Sequence, residues 1–198
     1  MVFKTREKEI RKNRPKSNWR RKNFKEAPRC SQYRKNLKTV IEKGQKEPLN
    51  TSDLLSVLKN VPHFLGVYAA DELKSLSILN YPIVLVTNLD TKMEPGSHWL
   101  GIRITYTTIE IFDSLGFSPL LWGKYPKELF SFLSLFISNR NILISPILQQ
   151  PNTVYCGLFV LYYILYRQNA SFSTCIKQFK VFRLDMNLRI LISLLKTI

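Results

Sequence analysis

The sequence predicts an α+β fold, a mixed or mostly antiparallel central sheet with helices on both sides, from three observations. The β-branched run Ile83-Val84-Leu85-Val86-Thr87 has the composition of a buried strand. Two nearby segments, 97 to 105 and 109 to 113, alternate apolar and polar residues as an antiparallel hairpin does. A continuous apolar stretch beginning at Tyr155 outruns a strand and reads as a buried helix.

Size and charge set the domain plan. The 198 residues, 45% of them hydrophobic, suit one domain with an extension. The net charge of +16 is unevenly spread: residues 1 to 50 hold 17 Lys plus Arg against 5 acidic residues, whereas residues 51 to 198 hold 13 against 9. The expected division is therefore a basic, disordered arm over 1–50 and a globular domain over 51–198. Patches such as Arg11-Lys12-Asn13-Arg14-Pro15-Lys16 and Arg20-Arg21-Lys22 suit the phosphates of DNA or RNA, and Trp19, Phe24 and Tyr33 could stack on bases. A solvated tail or an import signal explains the same charge.

Three cysteines, Cys30, Cys156 and Cys175, are too few and too scattered for a disulfide scaffold or a zinc site, so no metal is expected and a reducing compartment is. No apolar segment follows the first basic residues, so no signal peptide is read. The longest mostly apolar run, Tyr155 to Tyr166, falls short of the ~20 residues that span a bilayer, and no membrane partner is expected.

Within the domain, Ser52 is expected to cap a helix over Asp53 to Asn60, with Leu54, Leu55 and Leu58 on one face and Pro62 ending it. A second short helix is expected over Asp71 to Leu79. After the strand at 83–87, the polar stretch Asn88 to Ser97, with Pro95-Gly96, forms a loop. For the hairpin, setting His98 opposite Asp113 pairs Leu100 with Ile111, Ile102 with Ile109 and Ile104 with Thr107. That register gathers four aliphatic side chains on one face, and a slip of one residue would scatter them. His98 and Asp113 then become neighbours. The turn Thr105-Tyr106-Thr107-Thr108 lacks Gly or Asn, so a wider loop with a local adjustment is expected. After Gly116-Phe117-Ser118-Pro119 come an amphipathic helix near Pro126 to Ile137, a strand at Asn141 to Ser145, the central helix Tyr155 to Gln168 and a last helix over Leu184 to Thr197. No internal repeat is present.

The chemistry gathers in Gln149-Gln150-Pro151-Asn152-Thr153-Val154-Tyr155-Cys156-Gly157-Leu158-Phe159. Here Cys156 opens a helix, where the positive end of the helix dipole favours a thiolate and unpaired N–H groups can hold an oxyanion. Gly157 is small enough to admit substrate. Either Gln149 or Gln150 could add a side-chain amide to the oxyanion site. One of only two histidines, His98, could serve as base, with the Asp113 carboxylate fixing its tautomer. Plainer readings are a buried cysteine at a core helix, a capped strand-end histidine and a turn aspartate bonded to nearby backbone. His63 and Cys175 read as structural.

Together, His98-Trp99, then Ile111-Phe112-Asp113-Ser114-Leu115-Gly116-Phe117, then Gln149-Gln150-Pro151-Asn152 ahead of Cys156-Gly157-Leu158-Phe159 resemble the adenovirus-type maturation proteases (adenain) and the related ubiquitin-like-protein-specific cysteine proteases. The likeness extends to Phe64-Leu65-Gly66-Val67-Tyr68 and covers about residues 52 to 170. It implies a circularly permuted, papain-like fold and a cysteine protease in which Cys156 is the nucleophile, His98 the general base and Asp113 its orienting carboxylate. Trp99 is then a cleft wall, and substrates carry small residues, often Gly, before the cleaved bond. Adenain has Glu where Asp113 stands, and its glutamine spacing points to Gln149, whereas that of the ubiquitin-like-protein proteases points to Gln150, which is marginally preferred. Stimulation by DNA or by a peptide is part of the adenain pattern, but no cysteine lies at 138–141 to carry that peptide's disulfide. A viral or mobile-element enzyme cleaving capsid precursors, located in the nucleus or virion, is the expected identity. The alternatives are a protease removing ubiquitin-like modifiers and a nucleic-acid-binding protein with an inactive protease fold.

Overall fold

The computed structural model describes residues 28–78, 80–116 and 125–198, with side chains from residue 31 onward. Tyr33–Ile198 forms one compact unit, distinct from residues 1–32. The basic patches at 11–16 and 20–22, with Trp19 and Phe24, lie outside the described residues, as does the Phe117-Ser118-Pro119 turn.

Residues 28 to 50, expected as part of a disordered arm, instead hold helix α1, Pro28–Gly44. Its Leu37, Val40 and Ile41 fall at i, i+3 and i+4, and all three are buried in the main core together with Leu49. Charged neighbours mask this short apolar stripe in the sequence. Tyr33, read above as a stacking aromatic, packs against the same core.

Helix α2 spans Thr51–Leu58 and is capped by Asn50 rather than Ser52. The Asp53 amide donates to Asn50 Oδ1 (3.0 Å) while the Asn50 amide donates to Asp53 Oδ2 (2.9 Å), a reciprocal box that satisfies two orphan donors. Ser52 is one residue inside, and its hydroxyl donates to Asn50 Oδ1. Strand β1, Phe64–Tyr68, follows. The expected second helix is a 3₁₀ segment, Ala70–Ser75.

Five strands form one mixed sheet in sequential order: β1, β2 (Ile83–Asn88), β3 (Trp99–Ile104), β4 (Thr108–Phe112) and β5 (Asn141–Ile144). The outer pairs are parallel and the β2–β3 and β3–β4 pairs antiparallel. Every residue of β2 is buried, since layers cover both sheet faces. Leu100, Ile102, Ile104, Ile109 and Ile111 point to one face, where helix α3 (Lys127–Ser134) and the 3₁₀ segment close a smaller core. Trp99 and Phe112 point to the other, packed with α1, α2, α4 (Cys156–Tyr166), α5 (Phe172–Lys177) and α6 (Leu184–Thr197). Among the described residues no helix is long and apolar enough to cross a membrane.

The hairpin register differs from the expected one by two residues: Ile102 pairs with Ile111 and Ile104 with Ile109. A slip of two leaves every side chain on its own face, so hydrophobic pattern cannot distinguish the registers. The turn decides. Thr105 Oγ1 accepts from the amides of Thr107 (3.2 Å) and Thr108 (2.9 Å), while the Thr105 amide donates to the Thr108 carbonyl (2.8 Å). A threonine hydroxyl thereby closes a tight turn that contains neither Gly nor Asn.

Helix α4 is buried along its whole length from Cys156 to Leu165, as an all-apolar sequence requires. Its Tyr163 ring stacks on Phe112 at 4.6 Å and sits over Gly101, where a Cβ would lie 2.8 Å from the ring. The glycine thus sets how closely the helix approaches β3. Beneath it, buried Glu110 accepts from the Tyr163 hydroxyl (2.8 Å) and from two guanidinium nitrogens of Arg167 (2.8 and 2.9 Å).

Candidate active site

His98 immediately precedes β3. Its carbonyl accepts from the Leu89 amide (3.1 Å), which ties the end of the 88–97 loop back onto the sheet. Asp113 immediately follows β4, on the neighbouring strand. Its backbone is clamped by Ser145, whose hydroxyl receives the Asp113 amide (2.8 Å) and donates to the Asp113 carbonyl (2.7 Å). In the observed register these two residues are not directly opposed, yet the side chains meet, with His98 Nε2 2.7 Å from Asp113 Oδ1.

Asp113 is 1% exposed, and its carboxylate has further partners. The Leu115 amide donates to Oδ1 (2.8 Å), making the turn bond foreseen as the plain alternative, and the Tyr125 hydroxyl donates to Oδ2 (2.7 Å). The histidine bond and the turn bond coexist on one oxygen. Because a carboxylate only accepts, Nε2 carries a hydrogen and Nδ1 is the nitrogen left for another partner.

Cys156, the first residue of α4 and 7% exposed, is the second side chain that bonds the His98 ring. Burial by itself would lower the His98 pKa, but the Asp113 hydrogen bond and then the adjacent Cys156 sulfur outweigh it, and the pKa is pushed up to about 9. Imidazolium is therefore the neutral-pH form, placed between a carboxylate and a sulfur. Tyr155, the residue before the helix, makes no side-chain cap bond to the first turn of α4. Burial pushes the second thiol, Cys175, up to about 11, which keeps it protonated and inert. Among the described residues no three His, Cys, Asp or Glu side chains form a metal-holding group.

Cys156 opens onto a cleft of about 440 Å³ walled by Trp99 and by the polar 91–97 loop. The Trp99 indole nitrogen donates to the Leu49 carbonyl (2.7 Å), which fixes the ring as a wall. Gly157 plays a different part from the one expected. It is buried, and a Cβ there would lie 2.9 Å from Leu49 Cβ, so its smallness admits Leu49 and not a ligand.

Neither glutamine lines that cleft. Gln149 and Gln150 border a separate hollow of about 150 Å³ with Tyr155 and Leu184. Gln149 is buried; its Oε1 accepts from Ser114 Oγ (2.7 Å), and its amide nitrogen donates to the Thr153 carbonyl (2.8 Å) and hydroxyl (3.0 Å). Both amide hydrogens are thus spent on Thr153 within the loop before Cys156, while Oε1 ties that loop to the turn after Asp113. Gln150 is exposed, with its backbone carbonyl accepting from the Thr153 hydroxyl (2.6 Å).

The structure therefore brings Cys156, His98, Asp113 and Trp99 together and leaves both glutamines at a separate hollow. Sequence reading missed Ser145, Tyr125 and Leu49. Ser145 had a faint signal as a polar end to an apolar strand, whereas Tyr125 and Leu49 acquire their roles only through tertiary contacts.

No protein-family model matches the chain, and no curated protein matches it. Among solved structures, the crystal structure of the Se-Met ASFV pS273R protease is similar over 74% of this chain and 68% of that chain, with a TM-score of 0.42 and 15% sequence identity.

Proposed function

We propose that the protein is a cysteine endopeptidase with Cys156 as nucleophile, His98 as general base and acid, and Asp113 as the orienting carboxylate. The observation that carries this reading is the chain of contacts from Asp113 Oδ1 through His98 to Cys156, which lies at a helix start and on a cleft. In the reaction the Cys156 thiolate, paired with the His98 imidazolium, attacks a peptide carbonyl carbon. A carbon–sulfur bond forms as the carbonyl π pair moves to oxygen. On collapse the carbon–nitrogen bond breaks, and the His98 proton leaves with the amine. Water, deprotonated by His98, then attacks the thioester and releases the acid, restoring the thiolate and the imidazolium. The oxyanion is held by the Cys156 N–H, and Gln150 is the glutamine left to join it if the 149–153 loop rearranges, since the Gln149 amide is already engaged.

The resemblance drawn from the sequence favours a maturation protease that cuts precursor polypeptides after small residues, and the Trp99 wall supports a restricted approach to Cys156. A second reading, removal of ubiquitin-like modifiers, is favoured by Asp113 and by the exposed side chain of Gln150. Incubation with capsid-type precursor peptides and with a diglycine-terminated modifier conjugate separates the two. Either way, Cys156→Ala should abolish cleavage, and a peptide vinyl sulfone should label Cys156 alone. Cleavage by Cys156→Ala at the parent rate would end the peptidase reading.

A further inference from the structure

We propose that Tyr125 is a positioning residue that, through Asp113, holds His98 in its proton-bearing state. This inference rests on the peptidase reading for its significance, but on the Asp113 contacts alone for its content.

The carboxylate of Asp113 is almost fully enclosed, and each of its oxygens needs a donor. Oδ1 has two, the His98 ring and the Leu115 amide. Oδ2 receives the Tyr125 hydroxyl at 2.7 Å. With donors on both oxygens the carboxyl plane is fixed and its charge is stabilised where the imidazolium needs it. Burial, and then the neighbouring Asp113 charge, hold the Tyr125 phenol well above its ordinary range, so it stays a donor wherever His98 titrates. Its ring lies edge-on to Phe130 at 6.3 Å, which seats the phenol by packing that does not involve the hydroxyl.

Removing only the hydroxyl leaves Oδ2 enclosed without that donor. The anion becomes costlier, the carboxyl group can turn, and its pull on the His98 proton weakens. The titratable groups acting on His98 are Asp113 at the end of β4 and Cys156 at the start of α4, and the phenol reaches it through the first.

The test uses the full chain carrying Tyr125→Phe, Asp113→Asn or both. The titration of His98 is followed by NMR, which is simple because His63 is the only other histidine. In parallel, the pH dependence of Cys156 alkylation by iodoacetate, an anion drawn to the imidazolium, is mapped by mass spectrometry. Tyr125→Phe is expected to move the His98 midpoint and the alkaline limb of alkylation down by about one pH unit, a roughly tenfold weaker hold on the proton. Within the Asp113→Asn background the same substitution should move neither. A Tyr125→Phe protein that titrates like the parent, whatever its unfolding midpoint, overturns the inference, as does a shift that persists without the Asp113 carboxylate. Neither readout requires peptide cleavage, so a parent that cleaves nothing while the shift is present overturns the peptidase reading and supports this one.

Discussion

At His98 the balance between burial and its two partners makes protonation a property of the fold. The folded pKa, about 9, lies above the ordinary value of 6.5, so the folded chain binds this proton more tightly than the unfolded chain. The resulting stabilisation is fully present below pH 6.5 and is lost as pH rises through 9, amounting to roughly 3 kcal/mol at most. Urea unfolding midpoints measured across this range should fall with pH in the parent and stay flatter in His98→Asn. The principal residues were legible because cysteine at a helix start, scarce histidine and strand-end aspartate are chemically distinctive. Gln149 and Gly157 were misread because both sit in the motif as a ligand-binding residue would, while their atoms are spent on Thr153, Ser114 and Leu49. Spacing reports position along the chain, not the direction in which a side chain points.

Among the elements, the β3–β4 hairpin separates what a pattern can specify from what it cannot. Alternation fixed the faces, and the apolar set Leu100, Ile102, Ile109 and Ile111 shares one face as expected. The two-residue slip was invisible to it, because the choice belongs to the hydroxyl of Thr105. Thr105→Val removes the acceptor for two amides with little change in shape. It should cost about 1 kcal/mol, seen as a lower urea midpoint at unchanged slope. Helix α6 was legible to the residue, since Leu184, Leu188, Leu191 and Leu195 recur at helical spacing. Helix α1 was not, because three aliphatic residues set among lysines and arginines carry too little signal until the core that receives them is known.

Across the whole molecule, the sheet and the helix that begins at Cys156 are joined by the cluster of Glu110, Arg167 and Tyr163. Arg167→Ala would leave the Glu110 carboxylate with the Tyr163 hydroxyl and Arg103, whose nearest nitrogen is 3.8 Å away. A loss of about 3–5 kcal/mol is expected, read from chemical denaturation. One further consequence concerns Leu49, whose carbonyl anchors the Trp99 ring and whose side chain covers Gly157. It is linked along the chain to α1 by the exposed stretch 45–48. A single trypsin nick after Lys46 would unfasten this latch from its hinge, so the clipped protein should lose vinyl sulfone labelling of Cys156 well before its helical circular dichroism fades. The thiol would be silenced from a point remote in sequence from Cys156, His98 and Asp113.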